Sequence, residues 1–284
     1  MTDPVLFHER IAAGEPLTAN GGRRLVLVVH GALGSGQNFR SFIKRLAAAC
    51  PALVFELVDS RGHGQSHGFG PPHTIAACAG DLFRLATLLR AAEGLELGAI
   101  LGHSLGGKIA LEFSRLHGDP GLQIWALDSN PGKQDPNEAH QIKHVMAAVR
   151  SMPEPIVTRQ QVVEHFRARG LSNGLAQWMT TNLARDGERL RWVLDLDVIA
   201  SLLDDYFVRD LWPFLEQTGA TSEHHLVIAE RSDRMSPELR ARAEGIARSG
   251  NLRVHQLADA GHWVHVDNPE GLLGILVPEL GRLH

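Results

Sequence analysis

Short aliphatic and β-branched runs alternate with longer amphipathic stretches along most of the chain. The runs have the length of buried strands and are bounded by glycine, whereas the amphipathic stretches repeat their apolar positions with the period of a helix. This alternation is typical of βαβ units, which build a mostly parallel sheet flanked by helices. The predicted strands are Arg24 to Val29, Leu53 to Val58, Gly98 to Leu101, Ile124 to Leu127, His225 to Ala229 and Leu252 to Leu257, with an edge strand near Val5 to Arg10. The predicted helices are Phe39 to Ala49, Thr74 to Ala92, Leu105 to His117, Pro237 to Ser249 and Pro269 to Leu283.

The pattern changes between residues 132 and 218, where helical periodicity continues without a convincing strand. We interpret residues 132–218 as a helical cap, inserted after Ile124 to Leu127, which is counted as the sixth strand of this architecture. Residues 1–131 and 219–284 then form the core. The expected cap helices are Asn137 to Met152, Thr158 to Arg169, Leu175 to Arg185 and Val198 to Glu216.

Composition narrows the class of protein. The 284 residues, 44% of them hydrophobic, suffice for one α/β core with an insertion. The 28 Lys and Arg against 32 Asp and Glu give a net charge of −4 without a basic cluster, which argues against a nucleic-acid partner. The first residues do not resemble a signal peptide and no apolar run has the length of a membrane span, so we expect a cytoplasmic protein without membrane contact. The pattern predicts no particular oligomeric state.

The two cysteines point away from redox or metal chemistry. Cys50 and Cys78 lie near no motif and lack C-x-x-C spacing. We expect two reduced thiols in helices, no metal site and no cofactor.

The segment Gly102-His103-Ser104-Leu105-Gly106 is the strongest chemical signal. It follows a predicted strand and opens a predicted helix, which is the context of a nucleophile elbow with Ser104 at its strained tip. A second G-x-S-x-G match surrounds Ser66 but continues into a Gly/Pro run where no helix starts. We therefore predict Ser104 as the nucleophile and Ser66 as a loop serine.

A serine hydroxyl needs a base, and the base needs a carboxylate to orient it. His262 follows the final strand, where the Ser, acid, His chain order of this architecture expects the base, and His265 is its nearest competitor. For the acid we favour Asp233, in the turn after His225 to Ala229. Asp128, at the end of Ile124 to Leu127, is the alternative.

Acyl transfer also needs two donors for the oxyanion. The backbone N–H of Leu105 is one candidate, at the start of the helix after the nucleophile. The other should come from the turn His30 to Ser35, with Ala32 favoured and Leu33 second.

In combination, these motifs resemble the α/β-hydrolase superfamily, and most closely the YbfF-type bacterial acyl esterases with their mammalian abhydrolase relatives. The resemblance implies hydrolysis of acyl esters or thioesters without a cofactor, with Ser104 and His262 as the carried-over pair. YbfF-like members can lack an acid after the seventh strand and use the aspartate after the sixth, whereas this chain has acids at both places. The matching segments are His30 to Ser35 with Asn38, Asp59 to Ser66, Gly102 to Lys108, Leu127-Asp128 with Pro131, and Ala260 to His265.

The substrate is expected to be a small molecule with a small or medium acyl group, bound between cap and core. Candidate pocket residues are His103, Leu33, Trp178, Trp192, Trp212 and Trp263. Arg167, Arg169, Arg189 and Arg191 either recognise an anionic tail or form a solvated face, and the second interpretation is favoured. The alternative functions are C–C bond hydrolysis, lactone opening or perhydrolysis on the same fold, and a non-catalytic ligand receptor.

Overall fold

A seven-stranded sheet forms the centre of the protein in the computed structural model, which describes residues 4–13, 23–134, 140–217, 221–250 and 252–283. The strand order is β1-β3-β2-β4-β5-β8-β9, and every neighbouring pair is parallel except β1 with β3. The mostly parallel α/β fold predicted from the sequence is confirmed. The strands are β1 (His8–Ala12), β2 (Arg24–Val29), β3 (Leu53–Val58), β4 (Glu96–His103), β5 (Gln123–Leu127), β6 (Leu183–Asp186), β7 (Arg189–Trp192), β8 (Glu223–Ala229) and β9 (Arg253–Leu257), of which β6 and β7 form a separate hairpin.

Helices cover both faces of this sheet, and β2 shows how its side chains divide between them. Leu25, Leu27 and Val29 belong to one apolar cluster, whereas Val26 and Val28 belong to the other. Successive side chains of a strand point to opposite faces, so a strand buried on both sides has a continuous apolar sequence. The helices are α1 (Arg40–Ala49), α2 (Ile75–Glu93), α3 (Leu105–His117), α4 (His140–Arg150), α5 (Arg159–Arg167), α6 (Asn173–Met179), α7 (Leu196–Val208), α8 (Trp212–Leu215), α9 (Pro237–Arg248), α10 (Val264–Asp267) and α11 (Pro269–Leu280).

Local signals account for the helix ends. Thr74 caps α2 by accepting from the Ala77 N–H, and Gly94 ends the helix with a φ of 68°. Asn268 caps α11 with Pro269 in the first turn, as predicted.

The register of the parallel strands brings four turns to one edge of the sheet. Val29 pairs with Gly102, His103 with Leu127, and Leu127 with Val227, so β2, β4, β5 and β8 end at the same level. The turns that follow these strands are therefore neighbours. They contain the predicted oxyanion loop, the predicted nucleophile Ser104 and both candidate acids.

The chain between β5 and β8, called here the insertion segment, contains α4 to α8 and the β6–β7 hairpin. It follows β5, the strand counted above as the sixth of this architecture. The prediction of no strand was wrong: α6 ends at Met179, and Gly187-Glu188 forms the hairpin turn with Gly187 at a φ of 60°. The predicted helix Val198 to Glu216 is divided into α7 and α8, because Pro213 fits only the first turn of a helix.

The 218/219 boundary of the predicted division into domains lies outside the described residues. The start of the predicted helix Asn137 to Met152 also lies outside them. Among the helices of the described ranges, none is both long enough and apolar enough to cross a membrane.

Candidate active site

Ser104 occupies a strained turn between β4 and α3. Its backbone φ of 52° lies in the left-handed region, which residues other than glycine rarely adopt. A Cβ on Gly102 would lie 2.1 Å from the Gly106 carbonyl oxygen, and one on Gly106 would lie 2.3 Å from the Val29 carbonyl oxygen. The two glycines thus allow strand, turn and helix to pass in contact, as the nucleophile elbow requires.

The turn is also bonded to the neighbouring strand. The Ser104 N–H donates to the Leu127 carbonyl at 3.1 Å, and the Ser129 hydroxyl donates to the Ser104 carbonyl at 2.6 Å. The nucleophile candidate is therefore held by β5, the strand that also carries Asp128.

His262 pairs with Asp128. The His262 Nδ1 lies 2.7 Å from the Asp128 Oδ2, and the Asp128 carboxylate is fully buried. That carboxylate also accepts from the Ser232 hydroxyl at 2.5 Å and from the Ala229 N–H at 3.3 Å. A carboxylate with these partners accepts from the imidazole Nδ1–H, which leaves the lone pair on Nε2.

The structure corrects the preference for Asp233. Its side chain is 86% exposed and lies beside Arg234, with 3.3 Å between the Asp233 Oδ1 and the Arg234 Nε. The turn after β8 instead directs Ser232 toward Asp128. Asp128, the alternative acid, thus has the geometry that the sequence analysis expected of Asp233.

The competitor His265 has a packing role. Its ring stacks on Phe39 with 3.9 Å between centroids, and burial lowers its pKa to about 4. His103, a predicted pocket residue, is buried beneath the His262 loop, where its Nε2 donates to the His262 carbonyl at 2.7 Å. Burial also lowers the pKa of His103 well below its usual value, so the ring stays neutral.

Of the two candidate N–H donors in the oxyanion loop, Ala32 and Leu33, one already has an acceptor within the protein. The Leu33 N–H donates to the His63 Nε2 at 3.2 Å, while Leu33 takes a φ of 59°. Within the described residues, the N–H groups of Ala32 and Leu105 donate to no acceptor of the protein. Ala32 and Leu105 are therefore the better-placed pair of donors.

Two buried histidines hold this loop, and the sequence analysis missed both. The Ser60 N–H donates to the His30 Nε2 at 3.0 Å, and the His30 Nδ1 lies 2.7 Å from the Gly31 carbonyl. The His63 Nδ1 in turn lies 3.1 Å from the Arg61 carbonyl. Burial lowers the pKa of both rings, that of His63 to about 3, so each ring is a neutral donor and acceptor. The available signal was the repeated His-Gly pair in the turns after β2 and β3.

Ser66 braces the loop that contains His63. Its hydroxyl donates to the Asp59 carbonyl at 2.7 Å and accepts from the Phe7 N–H at 2.8 Å. The second G-x-S-x-G match is thus structural, as predicted.

The four tryptophans divide into two groups. Trp178 and Trp263 have ring centroids 4.7 Å apart, and Trp263 lies 5.8 Å from the His262 ring. Trp192 packs near Phe166 instead, and Trp212 is buried beneath the Arg242 guanidinium. The expectation that Trp212 lines a pocket is therefore wrong, because its ring fills the core. The predicted pocket residue Leu33 also has a buried side chain, and the arginines at 167, 169, 189 and 191 are exposed.

The insertion segment contacts the site directly. Asn182 Nδ2 of this segment donates to the Leu33 carbonyl at 2.8 Å, and the Tyr206 side chain in α7 is buried. Lys108, in the first turn of α3, donates to the Tyr206 carbonyl at 2.7 Å. The sequence analysis assigned no role to these three residues.

One group of side chains has the composition of a metal site. Ligand atoms of Glu223, His225 and Glu279 lie within 4.8 Å of one another. They lie near the start of β8, whereas Asp128 lies near the other end of that strand. Arg253 and Arg282 pair with both carboxylates and neutralise them. This arrangement is that of an ion-pair network.

A fold with these four turns at one edge is found in a large group of known proteins. The profile of the "Alpha/beta hydrolase family" matches residues 26–274. The chain belongs to this family. It is 28% identical to esterase YbfF of Escherichia coli over 251 residues, which cover 87% of this chain and 89% of the relative. It is 27% identical to the mouse sn-1-specific diacylglycerol lipase ABHD11 over 259 residues, which cover 87% and 78%.

Solved structures agree with the fold. A "Marine microorganism esterase" superimposes with a TM-score of 0.78 at 22% identity, covering 99% of this chain and all of that one. The structure of E-2-(acetamidomethylene)succinate hydrolase gives a TM-score of 0.74 at 20% identity, covering 97% and 94%. The protein is accordingly a hydrolase of the α/β-hydrolase family.

Proposed function

We propose that the protein hydrolyses carboxylic esters or thioesters of small to medium acyl groups through an acyl-enzyme on Ser104. The observation that carries the proposal is the pairing of His262 with the buried Asp128 carboxylate, at the sheet edge where Ser104 occupies its strained turn. The esterase and lipase relatives support the same class of substrate.

The mechanism follows from the hydrogen bonds of His262. Because the His262 Nδ1–H donates to Asp128, its Nε2 is free to take the Ser104 proton as the hydroxyl attacks the acyl carbonyl. The Ala32 and Leu105 N–H groups stabilise the oxyanion, at the N-terminus of α3 where the helix dipole favours negative charge. His262 then protonates the leaving alcohol or thiol. Water, deprotonated by the same Nε2, cleaves the acyl-enzyme and releases the acid.

We further propose that the insertion segment is a cap that closes over Ser104. Asn182 of this segment donates to the Leu33 carbonyl in the oxyanion loop. Trp178 of the segment packs on Trp263, the residue after His262. An apolar acyl group bound near this tryptophan pair would lie between cap and core.

The test is a burst assay with p-nitrophenyl acetate, butyrate and octanoate, followed by intact-protein mass spectrometry after labelling with a fluorophosphonate. We expect a burst and a single adduct on Ser104, both absent in Ser104→Ala. Ser66→Ala, the matched serine in the second G-x-S-x-G, should keep the adduct.

Equal slow turnover by wild type and Ser104→Ala would refute the serine mechanism and favour a ligand receptor. Labelling of Ser104 without ester turnover, together with cleavage of a lactone or a β-diketone, would keep the nucleophile but move the substrate to another class.

A further inference from the structure

The Gly31–Ala32 peptide group carries one of the two proposed oxyanion donors, the Ala32 N–H. In a trans peptide such as this one, the carbonyl and the N–H point in opposite directions, so the partners of the Gly31 carbonyl also aim the Ala32 N–H. The Gly31 carbonyl accepts from the Gly34 N–H at 3.1 Å and from His30 Nδ1 at 2.7 Å. The His30 Nδ1 carries the ring proton, because the Nε2 accepts from the Ser60 N–H. Two donors therefore fix the direction of the Ala32 N–H.

The Leu33–Gly34 peptide group links this donor to the insertion segment. Its N–H is the Gly34 donor to the Gly31 carbonyl, and its carbonyl accepts from Asn182 Nδ2 at 2.8 Å. Asn182, two peptide groups and the oxyanion donor thus form one chain of hydrogen bonds that all run in the same direction. In such a chain each bond polarises the next, so a donor at the Leu33 carbonyl strengthens the Ala32 N–H as a donor.

Leu33 is held at its other backbone polar group as well. Its N–H donates to His63 Nε2 at 3.2 Å, and its φ of 59° lies in the left-handed region, which a leucine keeps only when its surroundings impose it. His63 follows β3 in the central sheet, whereas Asn182 belongs to the insertion segment. Side chains from these two parts of the chain therefore hold the strained residue between them.

Asn182 is fixed by the hairpin that follows it. It ends a short 3₁₀ helix, Thr180–Asn182, directly before β6, and its side chain is buried. Its carbonyl accepts from the Val193 N–H at 2.9 Å, and the Asp195 N–H donates to the Gly62 carbonyl at 2.8 Å, so the base of the hairpin is closed and bonded to the core. The Asn182 Oδ1 is buried and has no hydrogen-bond partner within the described residues. The amide therefore acts through its donor.

We propose that Asn182 is a positioning residue for the oxyanion hole, which aims and polarises the Ala32 N–H through these two peptide groups. The inference rests on the proposed ester hydrolysis. As the Ser104 oxygen bonds to the acyl carbon, the carbonyl double bond becomes a C–O⁻ single bond and the Ser104 proton moves to His262. The negative charge appears only at that step, so a stronger Ala32 N–H stabilises the transition state more than the bound ester. The insertion segment thereby contributes to the chemical step.

The primary test is Asn182→Leu, which keeps a similar shape and removes the donor. We expect kcat for p-nitrophenyl butyrate to fall by about 5- to 30-fold with KM within about twofold of wild type. Loss of a whole oxyanion donor costs about 10²- to 10³-fold, and this change only weakens one. A kcat within twofold of wild type would refute the proposal.

Thr181→Val is the matched control in the same 3₁₀ helix. The exposed Thr181 hydroxyl donates to the Trp178 carbonyl at 2.7 Å and has no place in the chain of hydrogen bonds to Ala32. We expect this variant to keep the wild-type kcat. A loss equal to that of Asn182→Leu would refute the proposal, because any disturbance of the 3₁₀ helix would then have the same effect.

A second measurement reports on the oxyanion itself. A trifluoromethyl ketone with a butyl chain and a ¹³C-labelled carbonyl should add to Ser104 as a hemiketal, whose oxygen lies where the oxyanion forms. The ¹³C shift then reports the pKa of that oxygen. Weaker donors destabilise the anion, so we expect the hemiketal pKa to rise by about one in Asn182→Leu and to stay unchanged in Thr181→Val. An equal pKa in wild type and Asn182→Leu would refute the proposal even if kcat fell.

Asn182→Asp covers the case in which Asn182→Leu does not fold. The ionised carboxylate keeps the shape of the amide but has no hydrogen to donate to the Leu33 carbonyl, whereas the protonated form has one. We therefore expect kcat relative to wild type to fall as the pH rises from about 6 to about 9. A ratio within twofold of one over that whole range would refute the proposal. The absence of any fluorophosphonate adduct on Ser104 in wild type would instead refute the proposed function, so the two failures are distinguishable.

Discussion

At the scale of single residues, the structure explains why one of two acids orients His262. Asp128 lies at the end of a central strand, has no exposed surface on its side chain, and accepts from Ser232 and Ala229 as well as His262. A buried carboxylate with several donors keeps one orientation. Asp233 is exposed and has no such constraint.

Asp128→Asn and Asp233→Asn should therefore behave differently. An amide at position 128 no longer holds the imidazole proton on Nδ1, so we expect kcat for a p-nitrophenyl ester to fall by about 10²- to 10⁴-fold. Asp233→Asn should stay within about twofold of wild type, as exposed substitutions usually do. The double variant should match Asp128→Asn alone. A larger loss in Asp233→Asn than in Asp128→Asn would contradict the assignment.

At the scale of elements, the nucleophile turn depends on contacts between backbone atoms of β2, β4 and α3. The positions for a Cβ on Gly102 and on Gly106 are both occupied by backbone atoms of neighbouring elements. Backbone cannot rotate away as a flexible side chain can, so the strain must be relieved by separating strand from helix.

Gly102→Ala should consequently destabilise the protein by about 3 kcal/mol or more, measured by urea unfolding. Gly274→Ala is the matched control, because Gly274 is exposed in α11 and a Cβ there meets no atom within 4 Å. That change should stabilise the protein by about 0.5 to 1 kcal/mol through helix propensity. Similar unfolding midpoints for the two variants would mean that the turn tolerates a wider separation of β4 and α3.

Elements with a strong local signal were predictable from the sequence. The bounds of α3 agree with the prediction at both ends, and β2 and β3 agree as well, because glycine boundaries and apolar runs mark them. The β6–β7 hairpin was missed although Gly187 begins its two-residue turn, since its flanking residues also suit a helix.

The site was predictable only where chain order is fixed by the architecture. Ser104 and His262 occupy the expected turns after β4 and β9. The choice between Asp128 and Asp233 depended on which turn residue points inward, and sequence periodicity does not determine that direction in a turn. The contact between Lys108 and Tyr206 joins residues 98 positions apart in the sequence, and no local sequence pattern predicts it.

At the scale of the whole molecule, buried histidines make stability depend on pH. Among the described residues, a buried ring and a pKa lowered mainly by desolvation are shared by His30, His63, His103, His225 and His265. Their folded-state pKa values lie below the usual 6.5. Between 6.5 and the folded values, the unfolded chain binds more protons than the folded chain, so stability falls as pH falls. Above about pH 6.5 both states are neutral at these rings, and this contribution is constant.

We therefore expect the free energy of unfolding in urea to drop steeply from pH 6.5 to about pH 4. His225 offers a specific test: its ring is fully buried, stacks on Trp125 at 3.8 Å, and has its pKa lowered to about 2. At pH 4.5 a ring of this kind destabilises the fold by about 2 to 3 kcal/mol relative to pH 7.5, at about 1.4 kcal/mol for each pKa unit.

His225→Phe keeps an aromatic ring in that stack but cannot bind a proton. The proton uptake on unfolding, taken from the slope of the free energy of unfolding against pH, should therefore fall by about one proton near pH 4.5. His140→Gln, at an exposed histidine of α4, should leave the slope unchanged. If His225→Phe kept the wild-type slope, His225 would already be protonated in the folded protein, and its environment would have to supply a negative charge that compensates for burial.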